Sequence, residues 1–177
     1  MSLAILRSRA LAGMQAPEVA VEVHVSNGLP AFSLVGLPDV EVREARDRVR
    51  AAILSSGFDF PARRITVNLA PADLPKESGR FDLPIALGIL IAAGSLEATD
   101  IDGIEFAGEQ SLTGALRPVR GALPMALGAR AAGRTFVLPA SSAPEAVIAG
   151  GIDVRAATSL LDVCAHLCGQ SALPRAV

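Results

Sequence analysis

The sequence predicts an α/β fold in which a mixed sheet is covered by helices, and three observations carry that prediction. Residues 18–26 alternate strictly, with Val19, Val21, Val23 and Val25 on one face and Glu18, Ala20, Glu22, His24 and Ser26 on the other, the period of a half-buried strand. Residues 83–93 are almost wholly apolar, so a helix there has no polar face for solvent and has to lie inside. From residue 104 onward, short extended runs alternate with helical segments, the pattern of a sheet covered by helices. A chain of 177 residues with 51% hydrophobic content, 16 Gly and 12 Pro suits one domain, residues 1–177, or two tightly packed lobes.

Each element has its own justification. After the strand at 18–26, Asn27-Gly28-Leu29-Pro30 is turn chemistry and residues 31–35 resume an extended apolar run, which predicts an antiparallel hairpin. Pro38-Asp39 opens a helix over 39–56 with Val42, Ala45, Val49, Ala52 and Ile53 on one face, and Gly57 closes it. Residues 63–69 are extended again. The polar loop 70–80 follows, rich in Pro, Asp, Lys, Glu, Ser and Gly, and its length marks it as a candidate functional segment. Asp82 can cap the apolar helix of 83–93, where Pro84 is tolerated because the first turn has no intrahelical N–H partner to lose. Short strands are predicted at 104–107, 111–113 and 115–118, the last two joined at Gly114. The chain then reads as helix 122–132, strand 135–138, helix 143–149, strand 152–156 and helix 159–167.

Composition excludes several function classes. With 16 basic and 18 acidic residues the net charge is −2, so contact with nucleic acid or an anionic membrane has to be local. Six Phe and no Trp or Tyr argue against a platform built on rows of stacked bases. Mean hydropathy is high at +0.45, yet no apolar run approaches the roughly 20 residues of a spanning helix. The patch Leu3–Leu6 is broken by Arg7 and Arg9 and is no secretory h-region, which predicts a cytoplasmic protein without membrane contact. Cys164 and Cys168, with His166 between them, lack the ligand count and spacing of a zinc site. No phosphate-binding loop, dinucleotide fingerprint or nucleophile elbow occurs, and Lys76 is the sole lysine, so ATP hydrolysis by these residues is not expected. Arg43, Arg46 and Arg50 share one side of the first helix and could grip phosphates; the plainer reading places Asp39–Arg43 and Glu44–Arg48 in stabilising i, i+4 pairs.

Longer strings are more specific. Ser26-Asn27-Gly28-Leu29-Pro30, Val35-Gly36-Leu37-Pro38-Asp39 and Glu44-Ala45-Arg46-Asp47-Arg48-Val49-Arg50 resemble the N-terminal region of the ComM/YifB family. So do the run from Ile65 through Ala70-Pro71-Ala72-Asp73-Leu74-Pro75-Lys76-Glu77 and the run Phe81-Asp82-Leu83-Pro84-Ile85-Ala86. The resemblance covers nearly the whole chain. Members are described as magnesium-chelatase-like AAA+ ATPases associated with competence, in which the Walker A motif follows this region. The resemblance therefore implies a Lon-protease-like domain, of the ribosomal small-subunit protein five domain 2-like fold, set before a hexamer-forming motor. It also implies ATP-dependent DNA branch migration in natural transformation for the parent protein. ATP and Mg belong to that motor, and no cofactor or metal is expected in these residues. The implied partners are the protein's own motor domain, DNA and further copies of itself.

Compared residue by residue, the resemblance removes the peptidase chemistry. The stretch similar to the Lon-type serine loop reads Pro75-Lys76-Glu77-Ser78-Gly79-Arg80, with Arg80 in the nucleophile's place. The stretch similar to the lysine-bearing run extends from Ala107-Gly108-Glu109 through Gly114 and Pro118 to Gly121-Ala122, with Leu123 in the lysine's place. A non-catalytic module is expected. The alternatives are a serine-lysine peptidase of altered geometry, using Ser78 and Lys76, and a purely regulatory or oligomerisation domain. For contact with DNA or a partner the candidates are Lys76 and Arg80, with Arg117 and Arg120 brought near; the bland alternative pairs Arg80 with Glu77 or Asp82.

Overall fold

A computed structural model describes residues 2–74, 76 and 79–177. The strands are β1 (Ser2–Arg9), β2 (Glu18–Ser26), β3 (Ala31–Val35), β4 (Arg64–Ala70), β5 (Ile104–Phe106), β6 (Glu109–Gln110), β7 (Leu116–Arg117), β8 (Thr135–Pro139) and β9 (Val154–Ala157). The helices are α1 (Asp39–Ser55), α2 (Asp82–Ala92), α3 (Ala122–Ala131), α4 (Ala143–Ala146) and α5 (Leu160–Leu167). Seven strands form one mixed sheet in the order β3-β4-β2-β1-β5-β8-β9, and β6 and β7 form a separate small ribbon. This is the expected mixed sheet covered by helices.

The valine alternation of β2 sets the buried face. Val21 faces Leu6 of β1 and Leu69 of β4, and Val23 faces Ala4 and Val67, all of them buried. Against this face lies α2, in which Leu83, Ile85, Ala86, Leu87, Ile89 and Leu90 are wholly enclosed. The helix sits close because Gly88 has no side chain: a Cβ there would come within 2.5 Å of Val23 Cγ2. The opposite face of the antiparallel half keeps polar residues, with Asn68 donating to Glu22 at 2.8 Å. In the parallel half both faces are covered. Val137 of β8 joins the core under α2, while Phe136 and Leu138 join Ala122, Met125 and Ala126 of α3 in a second cluster on the other side. That explains why β8 reads as an unbroken apolar run.

Two sequence expectations are corrected here. The turn at Asn27–Pro30 does not make a hairpin: β3 pairs in parallel with β4, and β4 runs antiparallel to β2, so Arg64 stands between Ser26 and Ala31 in the ladder. The connection steps across one strand instead of closing on its neighbour. Residues 111–113 are the turn of the β6–β7 ribbon, not a strand, with Ser111 N–H donating to Ala115 at 2.9 Å. Two strands lie outside the predicted segments, the short β6 and the long β1. β1, interrupted to the eye by Arg7 and Arg9, is the middle strand, paired with β2 along its length and with β5. Its arginine is neutralised in place: Arg9 Nε donates to Glu105 at 2.7 Å, and Arg134 joins both Glu105 and Glu18.

Cys164 is buried and Cys168 exposed. Among the described residues no helix is long and apolar enough to cross a membrane.

The Gly88 contact makes a test of the core. Alanine favours an ordinary helix interior over glycine by about 1 kcal/mol, but the clash with a β-branched strand residue reverses the sign. Gly88→Ala is expected to lower stability in urea denaturation by about 1–3 kcal/mol, and Val23→Ala in the same chain should recover part of the loss.

Candidate functional site

The site is the corner where the polar loop enters α2 and meets β6 and the start of α3. After the cis peptide bond Ala70–Pro71, the chain reaches a single 3₁₀ turn at Gly79–Phe81. Two backbone bonds zip this turn to the segment after β5: Gly108 N–H donates to Arg80 O at 2.9 Å, and Leu83 N–H to Gly108 O at 3.0 Å. Gly79 packs tightly at this seam: a Cβ would lie 2.5 Å from the Glu109 side chain, which would have to shift.

Arg80 is 2% exposed. One terminal nitrogen donates to the carbonyl of Arg120 at 2.9 Å and contacts Met125 Sδ at 3.3 Å. The guanidinium thus joins the loop to the stretch that opens α3, the two segments that the Lon-type resemblance places face to face. Leu123 is half-buried, and its N–H donates to Glu145 Oε2 at 2.7 Å, so a carboxylate from α4 satisfies the first turn of α3. Neither position presents a nucleophile or a base. Lys76 is 4% exposed and its amine donates to Leu74 O at 3.4 Å; burial lowers its pKa, against the attraction of Asp73. Burial makes Lys76 and Arg80 internal groups in this conformation, with little surface for a phosphate. Arg117 and Arg120 are exposed. Pro75, Glu77 and Ser78 lie outside the described residues, and with them the alternatives that pair Arg80 with Glu77 or use Ser78 as a nucleophile.

Sequence reasoning missed the second half of the corner. Asp82 does not cap α2 with its side chain; the carboxylate turns sideways to Arg48 of α1. Arg48 grips it with Nε at 2.6 Å and a terminal nitrogen at 3.2 Å, while Gln110 N–H donates to Oδ2 at 3.1 Å. Asp82 is 1% exposed, and burial pushes its pKa up to about 6 despite Arg48 and the Gln110 N–H, which pull it down. The Gln110 carboxamide, also enclosed, has no hydrogen-bond partner among the described residues. The signal in the sequence was an acid at the mouth of an all-apolar helix, which needs a cation once buried. The partner, 34 positions earlier, could not be chosen from among the arginines of α1 by spacing alone. No group of three or more His, Cys, Asp or Glu side chains among the described residues is placed to hold a metal ion.

The chain is a magnesium-chelatase-like domain: it belongs to the family described as subunit ChlI of Mg-chelatase, whose model matches residues 21–142. Within that family it is similar to competence protein ComM of Haemophilus influenzae, with 53% identity over 176 residues, covering 99% of this chain and 35% of that protein. YifB of Escherichia coli K12 is 50% identical over 175 residues, 99% of this chain and 35% of its own length. A Mycobacterium bovis relative is 39% identical over 174 residues, with 98% and 35% covered. The chain therefore spans 35% of the length of these curated relatives. The ComM/YifB family expected from the motifs is the one found.

The buried carboxylate fixes the sign of a pH effect. Because Asp82 binds its proton more tightly in the folded chain than unfolded, its contribution is most favourable below about pH 4. That contribution is lost as pH rises through about 6. Measured by urea denaturation against Asp82→Asn, the native chain should lose about 2–3 kcal/mol between those pH values. A difference that grows with pH would mean that the Arg48 grip outweighs desolvation.

Proposed function

We propose that this chain is the non-catalytic N-terminal domain of a longer ComM-like AAA+ ATPase. In that protein it positions DNA or neighbouring subunits for ATP-dependent branch migration during natural transformation. The observation that supports this reading is the buried Arg80 brace. A serine-lysine peptidase needs a hydroxyl within hydrogen-bond reach of an amine. Of the two positions that resemble that pair, one holds a guanidinium spent on Arg120 O and Met125, and the other holds Leu123. The same brace suits a structural module, since it ties the loop before α2 to the start of α3. ATP and Mg act in the attached motor, whose hexamer carries this domain at its N-terminal side.

The test uses the intact protein with ATP. Branch migration of a forked DNA is expected to survive Ser78→Ala and Lys76→Met and to be lost when residues 1–177 are deleted, with the motor's basal ATPase retained. An unfolded protein substrate should stay uncleaved throughout. Cleavage that depends on Lys76 would replace this reading with the peptidase, and branch migration unaffected by the deletion would leave a regulatory role.

A further inference from the structure

Among the described residues, six arginines of this chain are paired with carboxylates; others are not. Arg7, Arg9, Arg48, Arg134, Arg155 and Arg175 each lie within ion-pair distance of a carboxylate. On the outer side of α1 and the segment before β4, Arg43, Arg46, Arg50 and Arg63 have no such partner among the described residues. The i, i+4 pairing expected for this helix forms only at Glu44–Arg48, at 3.7 Å. Asp39–Arg43 does not form among the described residues, which removes half of the reason for reading the row as self-neutralised.

Three of the four are instead held by neutral groups. Arg46 donates to Phe32 O at 3.0 Å, and Arg63 to Ala93 O at 3.2 Å. The guanidinium of Arg50 lies 5.0 Å over the ring of Phe60, which in turn packs on Phe32 with centroids 5.5 Å apart. A guanidinium carries five N–H donors in a planar fork. One bond to a carbonyl, or stacking on a ring, fixes its direction and leaves its charge and most donors available. Beside these groups lies a cleft of about 220 Å³ whose lining includes Arg50, Arg63, Phe32, Phe60 and Pro61. Arg43 extends the row toward the start of α1, about 10 Å from Arg50 along the helix axis.

We propose that this surface, Arg43, Arg46, Arg50 and Arg63 around the Phe32–Phe60 cleft, is where the domain grips the phosphodiester backbone of a DNA strand. The proposal rests on the DNA-positioning reading above and gives it an address away from the braced corner. Prefixed, unneutralised guanidinia are the groups that bind phosphate bidentately, and the apolar lining accepts a sugar or base beside them. Phe60 is already engaged by Arg50 and Phe32, so a base would stack on the Arg50 guanidinium and not on an aromatic row. This agrees with a sequence too poor in aromatics for such a row. Asp39, Asp47 and Asp59 lie on or beside the patch and hold its net charge low. Binding through this surface alone is therefore weak and steeply salt-dependent.

The test is fluorescence anisotropy of a forked DNA and of a single strand with the intact protein, without ATP, from 50 to 200 mM salt. For Arg43→Gln/Arg46→Gln/Arg50→Gln, affinity at low salt should fall on the order of ten-fold, and the log–log salt slope should shrink by about 0.9 per contact removed. The charge-preserving Lys set should recover most of the affinity. If the triple variant does not fold by circular dichroism, the exposed pair Arg43→Gln/Arg50→Gln carries the test with a proportionate change. Unchanged affinity and slope in a folded variant overturn the proposal. So does loss confined to Arg117→Gln/Arg120→Gln, or a change of oligomeric state without a change in DNA binding. Deletion of residues 1–177 is the control: if it too leaves DNA binding and migration intact, the DNA-positioning reading fails; if it impairs them while the arginine variants do not, only this surface fails.

Discussion

An eleven-residue helix with almost no polar face has to be enclosed on every side, and the rest of the structure is arranged to enclose α2. The sheet supplies one wall through the valines of β2 and the apolar residues of β1, and α1 and α5 supply others. Gly88 sets how close that packing is, because the helix backbone rests on Val23 with no room for a methyl group. The order of the strands follows from the same need. β1 and β2, which carry the contact with α2, sit in the interior of the sheet, and the edges fall to β3 and β9.

Enclosing the helix also encloses what precedes it. Arg80 and Asp82 flank Phe81 at its mouth, and each is drawn inside with its charge. They are satisfied separately: Asp82 by Arg48 and the Gln110 N–H, Arg80 by groups that include Arg120 O and Met125. Removing one partner of a buried pair leaves an uncompensated charge, which costs far more than losing an exposed pair. Three surrounding segments are therefore tied to the end of α2: the middle of α1, the β6 ribbon and the start of α3.

A similar contrast runs through several of the arginines. Several arginines that cross between elements meet a carboxylate, as in the Arg9–Glu105–Arg134 network that joins the middle strand to β5 and the segment before β8. On the outer face of α1 the arginines are held by carbonyls and a phenyl ring, so position is fixed while charge is left over.

What the sequence by itself determined was local. The period of two in residues 18–26, the unbroken apolar run of α2 and the helical face of α1 each follow from side-chain periodicity, which every residue carries with it. The family motifs were equally legible, because strings such as Gly36-Leu37-Pro38-Asp39 are contiguous. Which strands become neighbours was decided by the tertiary structure. β3 looked like the hairpin partner of β2 because turn chemistry is local, yet β4, arriving 38 positions after Ser26 at Arg64, took the place beside β2. β1 was hidden because its arginines looked solvent-bound until Glu18 and Glu105 were brought beside them. The pairing of Asp82 with Arg48 and the burial of Arg80 were decided in the same way. A charge inside a protein is tolerable only beside its partner, and only the folded chain brings such partners together.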